Sequence, residues 1–552
     1  MANKKSKALK NKLDTAIKDQ KNVMEEVNSY IDFLKGKQYK KTPTATEATF
    51  NICHTTVQAI LNSVLRGNSH IYIDPKSAEA VKVAPELEQV MNFLWESLDV
   101  KYQLELSVID YAALGWGITY TDWEYQTDED GKIVKDSPFT LNIPYANFLI
   151  DPRATTQTLM ESDYMIREFT IPTKVLKADS RYKNVKNLKG DTTLTTGGDT
   201  DNKELSEANT LYRIWLLDEG VSYVMAKDSD EILRQVENRL GREYPFSIMQ
   251  NYPMPGELRA FGEVKVLYEP QKILNKIFSL IMTHARRVST RQYAANDRID
   301  KTELRKLKDA VDGEVLSVGG NQSPTDAIGL IPDATLSSDV YRAYELINSA
   351  VVQLTSISQY RRSSMPQGQR KATEAAFVEQ GTELSTSAKA EEVAKHSEDI
   401  AKKLYKYITD SRNINTQQIT YKDERTGAWT TTKYNNESFP GEYKFRWESG
   451  VEGPLNKSTK QQKMLGVLQT IANMTRMNPQ VAQSINWNLL LKTALKDFDI
   501  KNLDEIISPQ PMPPQGAEGG GNPQGPNASA GQGETTPEVA AELSRSIGGY
   551  NG

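Results

Sequence analysis

Four histidines (His54, His70, His284 and His396) and one cysteine, Cys53, are the whole stock of imidazole and thiol side chains in 552 residues. Cys53 and His54 are adjacent. On a helix, neighbouring side chains diverge by about 100°, so the two are badly placed to share a metal. A buried thiol beside a polar histidine is the ordinary expectation. A single cysteine also excludes an internal disulfide and a four-cysteine zinc site, and it suits a reducing compartment. Phosphate chemistry is equally unsupported. Gly368-Gln369-Arg370-Lys371-Ala372-Thr373 lacks the first glycine of GxxxxGK[ST] and follows a predicted helix rather than a strand. Asp199-Thr200-Asp201 lacks the glycine that a calcium loop requires, and Asp128-Glu129-Asp130-Gly131 reads as a hairpin turn. The expectation is a protein that is not an enzyme, with no metal and no cofactor.

What remains able to act at a distance is charge. Residues 361–371 hold Arg361, Arg362, Arg370 and Lys371 with no acid between them. Residues 1–41 hold eleven lysines against five acids, and the first twelve hold five lysines and no acid. A solvated arm leading into a surface helix from Leu13 explains that start; a contact with nucleic acid or an acidic partner is the alternative. The net charge of −5 does not advertise a nucleic-acid coat but permits a local basic patch. No apolar signal core follows the basic start, so secretion is not expected. No run of about 18 uncharged apolar residues argues for a membrane span.

The elements that would position these charges follow from periodicity. At roughly 100–200 residues per domain the length suggests about three or four packed units. Helical stretches are predicted at 47–66, 84–98 and 100–114, where apolar residues recur every three or four positions. From Gly117 to Tyr125 the period becomes two, as in a half-buried strand, and Lys132-Ile133-Val134 begins the return. Further strands are predicted at 139–143, 147–150 and 164–169, with a Gly/Thr/Asp-rich loop at 186–205 too polar to pack.

From about residue 257 long helices dominate. One covers 261–290. A second covers 336–359, where Val340, Tyr344, Ile347, Val351 and Leu354 are spaced 4-3-4-3, the seam of a helix packed along another helix. A compact insert, 291–335, lies between them, with a charged helix at 301–310 and short strands at 314–318 and 327–331. A third helix, 371–410, would run ~60 Å, and the phase slip of its apolar stripe near Gly381 predicts a kink. Strands return at 415–450, and 458–506 read as a small helical unit. Residues 508–535 are too rich in Pro, Gly and Gln to pack, and a short amphipathic helix is predicted at 539–547.

Three phrases resemble tailed-phage portal proteins, most of all those of short-tailed phages. Pro144-Tyr145-Ala146-Asn147-Phe148-Leu149-Ile150-Asp151-Pro152-Arg153-Ala154 is similar to their strand ending, and Asp151-Pro152 stops a strand because proline removes a donor and fixes φ. Glu269-Pro270-Gln271-Lys272-Ile273-Leu274-Asn275-Lys276-Ile277-Phe278-Ser279 resembles the opening of the first stem helix. There Gln271, Asn275 and Ser279 form one polar stripe, either a wet face or a contact between neighbouring stems. Arg361 to Ala375, a Pro/Gly loop running into Ala-Thr-Glu-Ala, is similar to the tunnel loop and the long wing helix behind it.

The resemblance implies an α+β, multidomain, predominantly helical portal-type fold that assembles into a closed ring. It implies a wing at 45–260 and 372–454, stem helices at 261–290 and 336–360, a clip at 291–335, a tunnel loop at 361–371 and a crown at 455–507. The resemblance does not cover the tails, which composition alone reads as a basic arm and helix at 1–44 and a disordered tail with a short terminal helix at 508–552. Implied partners are further copies of the chain (twelve in a ring), double-stranded DNA held without sequence specificity, the major capsid protein, terminase and head-tail adaptor or tail proteins, with no membrane. The place implied is the virion, after assembly in the bacterial cytoplasm. Val340, Tyr344, Ile347, Val351 and Leu354 would pack between subunits, while Arg361, Arg362, Arg370 and Lys371 would face DNA. Another structural virion component is the alternative, and a nucleic-acid-processing enzyme a more distant one.

Overall fold

The computed structural model describes residues 2–39, 47–65, 69–127, 133–195, 205–289, 293–295, 328–330, 336–355, 372–412, 416–422 and 429–448, together with residues 466, 469 and 471. The chain divides into two compact units, Met1–Val451 and Glu452–Gly552. In the second, helical backbone is described at residues 466, 469 and 471. The rest of the predicted crown, the tail and its terminal helix lie outside the described residues.

The first unit mixes helices and sheets more evenly than the sequence suggests, with eight helices and fifteen strands among the described residues. Helix α1 (Ala2–Leu34) is followed by α2 (Ile52–Val64), strand β1 (His70–Pro75), α3 (Ala78–Ser97) and α4 (Val100–Leu114). Local signals set their ends. Asn51 caps α2 by accepting from the His54 N–H, and Ser77 caps α3 by accepting from the Ala80 N–H. Gly115 closes α4 at φ 105°, a left-handed conformation that favours glycine.

The long strands β2 (Trp116–Thr127) and β3 (Ile133–Asn142) follow, and both pack in one antiparallel sheet with β10 (Phe246–Gln250), in the order β10-β2-β3. Tyr120 faces Leu141 on one side and Phe246 on the other. A second antiparallel sheet has the order β4-β5-β7-β8-β9: Phe148–Ile150, Tyr164–Pro172, Leu205–Leu216, Val221–Ala226 and Ile232–Glu237. Strand β6 (Thr192–Thr195) pairs with the start of β7, and the short α5 (Thr173–Ala178) packs against β5 and β7. The polar stretch 186–205 is therefore partly structured, because β6 uses its backbone rather than its side chains.

Two long helices, α6 (Glu263–Ser289) and α7 (Ser338–Thr355), lie against each other, and strands β11 (Tyr293–Ala295) and β12 (Ile328–Leu330) pair in the segment between them. The charged helix predicted at 301–310 and the strand at 314–318 lie outside the described residues. Helix α8 (Ala372–Ile408) leads to β13 (Gln417–Lys422), β14 (Trp429–Tyr434) and β15 (Tyr443–Glu448). β13 and β14 form a hairpin, whereas β15 returns to pair with β1, placing Ile71 opposite Trp447 and Ile73 opposite Phe445.

One large core joins α2, α3, α4, the three-stranded sheet and the second half of α8, with Trp116, Tyr111, Ile60, Leu87 and Leu404 all fully buried. A smaller core lies on the larger sheet. Leu9, Leu13 and Ala16 of α1 close it over Leu149, Tyr164, Ile166, Tyr212, Ile214 and Met225. The basic start expected to be a loose arm is thus helical from Ala2, since its apolar residues find a sheet to cover.

Candidate functional site

The second family phrase lies in α6, so the site is built from the start of that helix. Helix α6 begins where two backbone segments meet. A Cβ on Gly262 would lie 2.3 Å from the Ala113 carbonyl oxygen, and one on Gly115 would lie 2.4 Å from that of Ala260. Only glycine lets the α4 end and the α6 start approach this closely.

Directly after Gly262 stands Glu263, whose carboxylate accepts from the Lys389 ammonium at 2.8 Å and from the Tyr252 hydroxyl at 2.8 Å. Lys389 also donates to Asn251 at 2.6 Å and lies 4.4 Å from the Tyr252 ring centroid. The side chains of Glu263 and Lys389 are 0% and 8% exposed, so this ion pair is closed to water. It ties α8 to the root of α6. The sequence offered no sign of it, because the partners lie far apart along the chain and each is an unremarkable charge in a helix.

Eight residues on, the predicted polar stripe takes a form that neither alternative anticipated. Gln271 and Asn275 are buried, 1% and 5% exposed. The Gln271 carboxamide accepts from the Ile52 N–H at 2.8 Å, and donates to the Phe50 carbonyl at 2.7 Å and to Asn275 at 3.0 Å. Asn275 donates to Gln38 at 2.5 Å, and Gln38 donates to the Phe33 carbonyl at 3.1 Å and to Asn51 at 3.3 Å. Ser279 meets the Tyr39 hydroxyl at 3.2 Å, which in turn reaches the Ala48 carbonyl at 3.0 Å. The stripe is therefore a latch inside one subunit, joining α6 to the end of α1 and the start of α2. It serves an N-terminal N–H of α2 that helix geometry leaves without an intrahelical partner. Gln271→Leu keeps the volume and removes three hydrogen bonds. It should lower stability by about 1–3 kcal/mol in urea denaturation while leaving helix content unchanged.

Asp151 and Pro152 end β4 as the sequence reading has it. The Asp151 carboxylate is buried and accepts from the Arg153 N–H at 3.0 Å and from its guanidinium at 2.6 Å; the same guanidinium reaches Asp163 at 2.5 Å. Burial works to raise this carboxyl, but the Arg153 hydrogen bonds outweigh it and hold the group below the usual carboxylate range. Pro270 stands inside α6.

The seam on α7 divides into two populations. Val351 is 0% exposed and belongs to the subunit's own core. Tyr344 and Ile347 pack against that core, and Tyr344 meets Phe278 of α6 edge-on with centroids 5.5 Å apart. Val340 is half-buried, whereas Leu354 is 49% exposed. Thirteen large apolar side chains are exposed among the described residues, and six sit on these two helices: Ile273, Leu280 and Met282 on α6, Tyr341, Leu346 and Leu354 on α7. Exposed apolar side chains are thus more frequent on these two helices than elsewhere among the described residues.

The second half of α8 is held by charges buried against the three-stranded sheet. Asp399 accepts from Ser247 at 2.6 Å and also pairs with Lys403, which donates to Ser247 at 2.9 Å. Arg213 reaches Tyr120 and Asp122, both at 2.8 Å. His396 meets Thr119 at 3.1 Å, and burial lowers its pKa to about 3, so the ring stays neutral near pH 7. Apart from His396 Nδ1, which has no hydrogen-bond partner among the described residues, these groups hold one another and so position the helix against the sheet. Cys53 is likewise buried, which pushes its thiol up to about 12 and keeps it unreactive.

Among the described residues no group of three His, Cys, Asp or Glu is placed to hold a metal ion, and no helix is long and apolar enough to cross a membrane. Arg361, Arg362, Arg370 and Lys371 lie outside the described residues, between Thr355 of α7 and Ala372 of α8.

Two family models match the chain: one described as Phage SU10 portal protein, over residues 128–534, and one described as Phage P22-like portal protein, over residues 10–216. Residues 128–216 fall within both. No curated protein matches it.

Proposed function

The chain belongs to the phage portal proteins, and on that premise we propose that twelve copies close into a ring at one capsid vertex, with α6 and α7 as the stem around the channel. Its function is that of the head-tail connector, through which the genome is packaged and ejected. The observation that carries the proposed ring is the exposed apolar surface of Ile273, Leu280, Met282, Tyr341, Leu346 and Leu354. A subunit leaves that surface wet; a closed cyclic arrangement buries it in every copy alike.

In this reading the wing meets the major capsid protein. The segment between α6 and α7 is the clip, which receives terminase during packaging and the adaptor or tail proteins afterwards. The portal itself does no catalysis, and the energy for DNA movement comes from terminase. The mature ring resides in the virion and assembles in the bacterial cytoplasm.

The loop between α7 and α8 would hold DNA through Arg361, Arg362, Arg370 and Lys371. Arg370 and Lys371 immediately precede Ala372, the first residue of α8. Cations there oppose the helix dipole, so helix stability gives no reason for them. Duplex DNA carries one charge per ~1.7 Å, and a ring of such loops would grip it without reading bases.

Replacing Arg370 and Lys371 with glutamine should leave rings intact by negative-stain microscopy. Procapsids carrying the change should package or retain less DNA, with a deficit that varies with salt. Rings with normal packaging, retention and ejection at all salt concentrations would reduce the loop to a solvated connection. Absence of rings from the unmodified protein would remove the ring reading itself.

A further inference from the structure

Helix α1 sorts its charges between two faces. Toward the body, Lys5 pairs with Glu219 at 2.7 Å, Asp19 with Arg259 at 2.7 Å and Glu26 with Lys265 at 3.3 Å. Lys10 donates to the Lys227 carbonyl at 2.7 Å and lies 3.8 Å from Asp14. On the opposite face Lys4, Lys7, Asn11, Asp14, Lys18 and Lys21 are all exposed, and their spacings of three, four, three, four and three residues align them in one row of four cations and one acid. Within the described residues no ion pair engages those four lysines.

Helix stability does not account for the start of the row. The first turn of α1 contains no acid. Lys4 and Lys7 near this end oppose the helix dipole and repel each other across one turn. The row is nonetheless held rigidly, because Leu9, Leu13 and Ala16 on the far side of the helix are 2%, 0% and 1% exposed against the larger sheet. From Lys4 to Lys21 it extends ~25 Å, the length of about 7 phosphates along one DNA strand.

We propose that the outward face of α1 is a second DNA-contact surface, where Lys4, Lys7, Lys18 and Lys21 take the phosphate backbone of duplex DNA and Asn11 adds a hydrogen-bond donor. Phosphate contacts of this kind fix position and carry no sequence preference. Lysine suits the task, being a flexible point charge rather than a planar fork made for one partner. The inference rests on the portal reading only for the presence of DNA; the charge geometry stands without it.

The experiment measures binding of the full chain to a labelled duplex of mixed sequence across a salt series. It compares the unmodified protein with Lys4→Gln/Lys7→Gln/Lys18→Gln/Lys21→Gln and with a separate variant in which Arg361, Arg362, Arg370 and Lys371 become glutamine. Glutamine keeps helix propensity, so circular dichroism should be unchanged. In the α1 variant the slope of log K against log salt should become shallower by about 3–4, and the loss should persist when the loop charges are already gone. If the fourfold variant is misfolded, Lys7→Gln/Lys18→Gln should show a slope change of about 2 instead. An unchanged slope, or no DNA binding by the unmodified chain, overturns the proposal. So does weakened binding to polyglutamate with DNA binding intact, which would assign the row to an acidic protein. Ring formation, followed separately by microscopy, reports on the portal reading and not on this surface.

Discussion

Glu263→Ala should destabilise the subunit by about 3–5 kcal/mol, a large share of the total stability of a folded domain. The reason is what the substitution leaves behind. Lys389 is 7% exposed, and without Glu263 its ammonium would keep only the Asn251 side-chain Oδ1 and the Tyr252 hydroxyl within reach. Two neutral acceptors cannot replace a carboxylate for a buried cation, so the charge would pull the middle of α8 toward water. Urea denaturation of the full chain measures the loss. The double replacement Glu263→Leu/Lys389→Met provides the contrast: with both charges gone, stability should return to within about 1–2 kcal/mol of the unmodified protein. Equal damage from the single and double variants would show that packing at the α6 root, and not the ion pair, is what matters.

The second large effect separates the subunit from the ring. Val351→Asp places a carboxylate in the subunit's own core, at a cost of several kcal/mol whether it stays charged or takes up a proton. Thermal unfolding should drop sharply, and native near-ultraviolet circular dichroism should weaken even in dilute, unassembled protein. Leu354→Asp, only one turn away on the same helix, puts its charge where 49% of the side chain already meets water. It should leave the unfolding of the unassembled subunit within about 0.5 kcal/mol of normal, while native mass spectrometry shows rings lost. Rings that survive Leu354→Asp, together with Leu346→Asp, would move the contact between copies away from α7.

The contrast between Val351 and Leu354 marks how far sequence reasoning reached. The 4-3-4-3 spacing identified a helix with an apolar seam, and α7 is that helix. Spacing fixes which residues share a face and is silent about what covers it. The assignment of all five to one surface between subunits did not anticipate that Val351 is enclosed by its own chain. The polar stripe of Gln271, Asn275 and Ser279 gives the same lesson with the opposite sign. A four-residue period made the stripe visible, and solvent or a neighbouring subunit was the natural cover. The actual partners, Gln38, Tyr39, Phe50 and Ile52, come from a part of the chain more than two hundred residues earlier. The basic start, read as loose, is helical from Ala2 because Leu9, Leu13 and Ala16 meet a sheet whose strands come much later in the sequence.

By itself the sequence determined what is local or compositional. It set the helices at 47–66, 84–98, 100–114, 261–290, 336–359 and 371–410 and the strands of 117–150, 164–169 and 415–450 through their apolar periods, the stop at Asp151-Pro152, the poverty of imidazole and thiol groups, and the phrases that assign the family. Those signals are legible because a backbone period, a cap or a turn depends on residues within a few positions of one another. Tertiary structure alone decided the pairing of Glu263 with Lys389, the partners of the polar latch, the closure of β1 on β15, and which face of α1 remains in water. Each of these depends on distant segments being brought together, and a side chain's charge or polarity does not say which partner will desolvate it. The lysines of α1 illustrate the division: the sequence counts them, but only the packed helix separates those bound to the body from the row of four left facing outward.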